Sequence, residues 1–157
     1  MAQDFLKCAR DDRFFRGNLH CHSDRSDGLL GPEEVVSAYR DAGYDVLCLS
    51  DHFEEGYGWR VTDTRHLRDE EFTTIPGAEL SSALWGRRDC NWVTAAGLPS
   101  DFGAPPADDH AEAIRRAADV GASVVMLHPG LNNLPLAAAG GLPSLEAVHA
   151  VEVYTHN

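Results

Sequence analysis

Residues Pro32 to His52 read PEEVVSAYRDAGYDVLCLSDH, and this stretch decides the fold class. Val35, Val36, Tyr39 and Ala42 recur at helical spacing, which predicts a helix over 32–42. Pro32 suits a first helical turn, and Gly43 suits the position just past the end. Asp45 to Ser50 (DVLCLS) then forms a compact apolar run of strand length, from which Asp51 and His52 emerge. A helix feeding a buried strand that ends in polar, metal-type side chains is the pattern to follow outward.

Upstream, Phe14 to Leu19 is apolar-rich and leads straight into His20-Cys21-His22. Downstream, Glu54 to Arg68 has no clean period and reads mostly as loop. Phe72 to Ser81 resembles a strand interrupted by Pro76-Gly77, and Trp92 to Leu98 a strand returning from it. Pro105-Pro106 mark a stop. Asp108 or Asp109 can cap a helix over His110 to Val120, which Gly121 closes. Ser123 to Leu127 (SVVML) is the clearest buried strand. Ser144 to His149 reads as a short helix, and Val151 to Tyr154 as a final strand. There is no internal repeat, and the Ala/Gly-rich stretch Leu136 to Leu142 reads as a mobile loop. Strand, helix, strand in this order favours an α/β fold with a parallel sheet and crossover helices. Ligands in such folds sit at the carboxyl ends of the strands. His20 and His22, Asp51 and His52, Glu79, and His128 all fall at or just after such ends.

The bulk numbers are compatible with this. At 157 residues, 43% of them hydrophobic, the chain can bury one core, and two independent domains are disfavoured. Thirteen basic against 25 acidic residues give a formal charge of −12. That balance argues against a basic nucleic-acid-gripping face. It leaves room for a small phosphorylated substrate, because bound divalent cations invert the local field. Cys8, Cys21, Cys48 and Cys90 form no Cys-x-x-Cys pair and read as reduced thiols of a cytoplasmic protein. Residues 1–15 lack the apolar stretch of a secretory signal, and no apolar run is long enough for a membrane helix.

Side chains two residues apart on a strand share a face, so His20 and His22 can bind one cation together while Cys21 points away. Alone, His-x-His is a weak signal. The continuation Ser23 to Gly28 strengthens it, because a tight turn there brings the Asp27 carboxylate back over the strand end. Taken singly, Asp27 is as readily a turn residue. Asp51 reads equally as a ligand, as a carboxylate fixing a histidine tautomer, or as a cap. Glu79 sits in an apolar segment, where an unpartnered carboxylate is costly. Bridging two metals about 3.5–4 Å apart would resolve that cost. His128, before Pro129-Gly130, is left at the rim of its strand, unless it only bonds to its own turn. His66, His110, His149 and His156 read as ordinary surface residues. Glu152 either faces solvent or lines the barrel.

Four motifs in order, Asn18-Leu19-His20-Cys21-His22-Ser23 with Ser26-Asp27-Gly28, Leu49-Ser50-Asp51-His52, Gly77-Ala78-Glu79-Leu80-Ser81 and Leu127-His128-Pro129, resemble those of the polymerase and histidinol phosphatase (PHP) superfamily. The resemblance spans roughly residues 14 to 154. It implies a single PHP domain over 1–157 with a distorted (β/α)7-type barrel, here covering only the N-terminal and central strands. It also implies two or three divalent ions (Zn, Mn or Fe) that activate a hydroxide to hydrolyse phosphoesters. Carried over by motif, His20 and His22 would hold one metal, Glu79 would bridge to a second that His128 also binds, and Asp27 and His52 would belong to a third. Arg25 and Arg60 are candidates to clasp a substrate phosphate.

Two departures accompany the resemblance. The family places a further histidine between the Glu and His-Pro motifs. Here Asp89 to Gly97 (DCNWVTAAG) has none, and Asn91 or Thr94 stands near that place. The family's late Asp-x-His motif is also missing, so the domain is expected to be the amino-terminal part of a longer protein, with open strand edges prone to aggregation. The reading is a metal-dependent phosphoesterase acting on a small phosphorylated substrate. Its alternatives are a non-catalytic metal-binding or scaffold module, and a nuclease that the acidic balance disfavours.

Overall fold

A computed structural model describes residues 14–80, 92–105, 110–130 and 145–154. Its strands are β1 (Gly17–Asn18), β2 (Val46–Leu49), β3 (Thr73–Leu80), β4 (Val93–Ala96), β5 (Ser123–Met126) and β6 (Ala150–Val151). The helices are α1 (Pro32–Asp41) and α2 (His110–Asp119), with short 3-10 turns at Glu55–Tyr57, Arg65–Leu67 and Leu145–Ala147.

α1 starts where Pro32 cannot donate a hydrogen bond and where none is needed. The Glu34 carboxylate accepts from Gly31 N at 3.0 Å, tying the entry of the chain to the first turn. Gly43, at φ +75°, ends the helix in a conformation that costs glycine little. Val35 and Val36 are buried against Leu47, Leu49 and Phe72. Fully burying each such side chain stabilises by about 1.5–3 kcal/mol. On α2, Ala113, Ile114 and Ala117 pack into a second apolar cluster with Ala78, Leu80, Val93, Ala95 and Val124. The helical cap expected at Asp108 or Asp109 lies outside the described residues.

The six strands form one sheet in sequence order, but the sheet is mixed rather than all parallel. β1, β2 and β3 pair in parallel, β4 runs antiparallel to both β3 and β5, and β5 pairs with β6 in parallel. A second correction concerns Pro76-Gly77, which does not interrupt β3. Pro76 lacks a donor, yet its carbonyl accepts from Gly97 N at 2.8 Å and Leu98 N at 3.1 Å, which anchors the end of β4 and helps fix its reversed direction. Gly77 fits because a Cβ there would collide with Cys48 Sγ and stand 2.7 Å from Ala95 O.

The sheet is curled. His20 follows β1 and Glu152 follows β6, the two outermost strands, yet their side chains lie 3.2 Å apart. A flat sheet would hold them far apart, since neighbouring strands are spaced about 4.8 Å. The curl encloses a cavity of about 180 Å³ lined by Asn18, Leu19, His20, Thr94, Val125, Leu127 and Glu152. The result is a half-barrel. Because only β4 is reversed, the carboxyl ends of the other strands gather at one mouth. Among the described residues, no helix is long and apolar enough to cross a membrane.

Candidate metal centre

The backbone beyond each strand end remains tethered, and this fixes the side chains of the mouth. Past β1, Cys21 O accepts from Ser50 N at 2.8 Å, and Cys21 N donates to Ser50 Oγ at 3.1 Å. His20 and His22 are thereby held on either side of a fixed point. Cys21 itself turns to the core, its thiol pushed up to about 12 chiefly by burial, with Asp51 adding to the effect. Cys21 and Cys48 are both free thiols.

Past β2, Asp51 O accepts from Glu79 N at 3.0 Å and Phe53 N donates to Glu79 O at 2.9 Å. This bridge clamps His52 beside Glu79. Past β5, Leu127 N donates to Trp92 O at 2.8 Å. His128 then adopts φ +27°, a backbone conformation rare for a residue with a side chain.

The side chains so placed converge on Glu79, which is 1% exposed. His20 Nε2 lies 3.3 Å from its Oε2, His22 Nε2 2.8 Å, and His52 Nδ1 3.5 Å, while His128 Nε2 lies 3.7 Å from Oε1. Asp27 closes the outer side, with Oδ1 2.6 Å from His22 Nδ1 and Oδ2 3.5 Å from His52 Nε2. His20, His22, Asp27, His52, Glu79 and His128 are therefore brought together. Arg25 and Arg60 are exposed. Asn91 lies outside the described residues. Thr94 is Glu79's cross-strand partner on β4 and is fully buried.

The electrostatics follow from this crowding. Burial alone would raise the Glu79 carboxyl, but the imidazoles of His128, His20 and His22 overrule it and hold it well below the usual carboxylate range. Burial disfavours the His22 imidazolium, yet the Glu79 and Asp27 carboxylates outweigh that and lift it to about 9. His20 is raised by the same contest, burial against Glu79 and Glu152. Asp27 is exposed; its partial desolvation raises it, but His22, bonded to its ionised form, lowers it overall.

Among the described residues, two groups satisfy the geometry of a cation site, each with ligand atoms within 4.8 Å of one another: His20, Glu79 and His128, and His22, His52 and Glu79. Glu79 belongs to both. His22 Nε2 and His52 Nδ1 are buried and, among the described residues, have no hydrogen-bond partner, although they lie 2.8 and 3.5 Å from Glu79 Oε2. Ring nitrogens crowded against one carboxylate without hydrogen-bonding to it fit shared ligation of a cation, and the mixed imidazole and carboxylate set suits a divalent transition metal.

Sequence reading left two carboxylates unresolved. Asp51, 2% exposed, accepts from Ser23 N at 2.7 Å and from the hydroxyls of Ser23, Ser26 and Thr62 at 2.8–3.0 Å. It organises the 23–28 turn that carries Asp27. Glu152 lines the half-barrel, contacting His20 Nδ1 and accepting from His128 N at 2.8 Å. Its position between two valines in the final strand expected from the sequence was the available signal. The aromatic rim was missed altogether: Tyr57 stacks on His52 at 6.1 Å, and Trp92 stands 5.9 Å from His52 and 6.0 Å from His128.

Fold and site together define a half-barrel with a histidine and carboxylate cluster at its mouth. A solved two-domain protein from Bacteroides vulgatus, described as containing a predicted PHP-like metal-dependent phosphoesterase, superposes with a TM-score of 0.64 at 22% identity, over 88% of this chain and 44% of that one. At that identity the likeness establishes the fold. A 5'-3' exoribonuclease of Haemophilus influenzae is 51% identical over 35 residues, which are 22% of this chain and 13% of that protein. The matched region thus covers less than half of either protein. No family model matches this chain.

Proposed function

We propose that this chain is a PHP-type metal-dependent phosphoesterase domain, single over 1–157, acting on a small phosphorylated substrate. The observation that carries the reading is the pair of cation-type groups sharing the buried Glu79. His20, Glu79 and His128 would hold one divalent ion, and His22, His52 and Glu79 a second, with Asp27 at the outer side of the second. Zinc, manganese or iron fits such a set. Bound there, the ions would supply a water of lowered pKa and neutralise charge on the phosphoester oxygens.

The chain's own residues do the rest. Glu79 and the imidazoles fix the ions' spacing, while Tyr57 and Trp92 limit the width of the mouth beside His52 and His128. Arg25 and Arg60 would take the substrate phosphate. Among the described residues neither guanidinium is engaged in a hydrogen bond or ion pair, which leaves both able to do so. A (β/α)7-type barrel and a cytoplasmic location belong to the same reading.

The test is metal-stimulated hydrolysis of phosphomonoesters by the full-length protein and its His20→Ala variant. The reading expects activity in the first and none in the second; equal activity in both would sink it. A second reading, cleavage of nucleotide phosphodiesters, is favoured by the 35-residue likeness to the exoribonuclease. The net charge of −12 opposes it for long chains. Comparing a phosphomonoester with a short oligoribonucleotide in the same assay separates the two.

A further inference from the structure

The geometry points to Glu152 as the positioning residue of the centre: one carboxylate that sets the tautomer of His20 and the backbone of His128 together. The inference rests on the proposed reading of His20 as a ligand. Glu152 stands just past β6, across the barrel from β1, and its side chain is only 15% exposed. Its two oxygens have different tasks. Oε1 lies 3.2 Å from His20 Nδ1, and Oε2 accepts from His128 N at 2.8 Å.

An ionised carboxylate has acceptors only, so the His20 nitrogen facing it must carry a proton. With the proton on Nδ1, the neutral ring presents its lone pair at Nε2, the atom 3.3 Å from Glu79. A histidine ligand needs that assignment, and a carboxylate behind the ring is a common way to fix it. The second oxygen acts where the chain is hardest to hold. His128 is one of two non-glycine residues at positive φ among the described residues. Its N–H, bound to Glu152, keeps the turn in the conformation that aims the imidazole at Glu79 Oε1. Glu152 is itself anchored, since its own N donates to Met126 O at 2.7 Å. The two histidines of one candidate cation group therefore depend on one carboxylate that contributes no ligand atom to that group.

Glutamine at 152 offers one acceptor and one donor where the carboxylate offers two acceptors, so either the His20 or the His128 contact is lost. The experiment is zinc titration against a competing chelator for the wild type, Glu152→Gln, Glu152→Asp and His20→Ala. It is paired with nitrogen–proton correlation spectra of the histidine rings in the zinc-loaded wild type. The expected result is a His20 ring protonated at Nδ1, zinc affinity about 10–100-fold weaker in Glu152→Gln, and partial recovery in Glu152→Asp. A His20 ring protonated at Nε2 in the wild type overturns the proposal without recourse to any variant. Glu152→Gln binding zinc as tightly as the wild type, while His20→Ala binds it weakly, also overturns it and leaves the ligand reading intact. Unchanged zinc binding in His20→Ala instead removes the ligand reading on which the proposal stands.

Discussion

Glu79 is where the chemistry of individual residues concentrates, since a buried carboxylate there is held ionised by the histidines around it. Replacing it with alanine removes the carboxylate that the half-buried imidazoles share. Breaking such a pair typically costs about 3–5 kcal/mol, and discounting for the partial exposure of the histidines, Glu79→Ala should destabilise the metal-free protein by about 2–3 kcal/mol in urea unfolding. His22 gives a pH dependence with a defined sign. Its folded value, about 9, lies above the ordinary 6.5. Its contribution to metal-free stability is thus complete below about 6.5 and lost as pH rises through about 9. A cation must displace that proton. Zinc binding at pH 7 should therefore release protons, and apparent affinity should climb with pH up to about 9. Calorimetry in buffers of different ionisation enthalpy reads this directly; buffer-independent heats would contradict it. At this scale, much was legible in the sequence. His20, His22, His52, Glu79 and His128 follow apolar runs, and polar ligand-type side chains at strand ends stand out. The task of Asp51 was not legible, because its four donors come from Ser23, Ser26 and Thr62, and only the folded turn assembles them.

Elements owe their positions to a few backbone approaches too close for any side chain. Gly77→Ala would drive a Cβ into Cys48 Sγ and Ala95 O, between β2 and β4, and should cost about 1–3 kcal/mol as overpacking, measurable as a lower urea midpoint at unchanged slope. In the 23–28 turn, Gly28→Ala would place a Cβ 2.7 Å from His22 O. That should displace Asp27 and weaken metal binding more than it lowers global stability, because the turn lies at the surface while the core clusters lie below. Equal losses in both would argue that the turn is part of the cooperative core. Helix α1 was readable because proline, spacing and glycine agree within one local window. The reversal of β4 was less so, since it depends on Pro76 O bonding to Gly97 and Leu98, a contact between distant parts of the chain. Pro76 itself read as a break in β3, and its carbonyl turned out to be what ties β4 in place.

For the whole molecule, curling the sheet is what turns four separate strand ends into one cluster. His20 and Glu152, 132 residues apart, meet at 3.2 Å, and no local pattern encodes that meeting. The outer edge also leaves Val151, on β6, and Val153, two residues past it, exposed at 51% and 97%. Exposed apolar residues on an edge strand promote edge pairing, so Val151→Lys should reduce concentration-dependent association in light scattering. Elemental mass spectrometry of chelator-free protein tests the central claim, a divalent-metal centre built on Glu79, most directly. About two equivalents of zinc, manganese or iron per wild-type chain, falling well below one in Glu79→Ala, is the predicted result. A wild type carrying well below one equivalent, or a Glu79→Ala variant that keeps its metal, would contradict it.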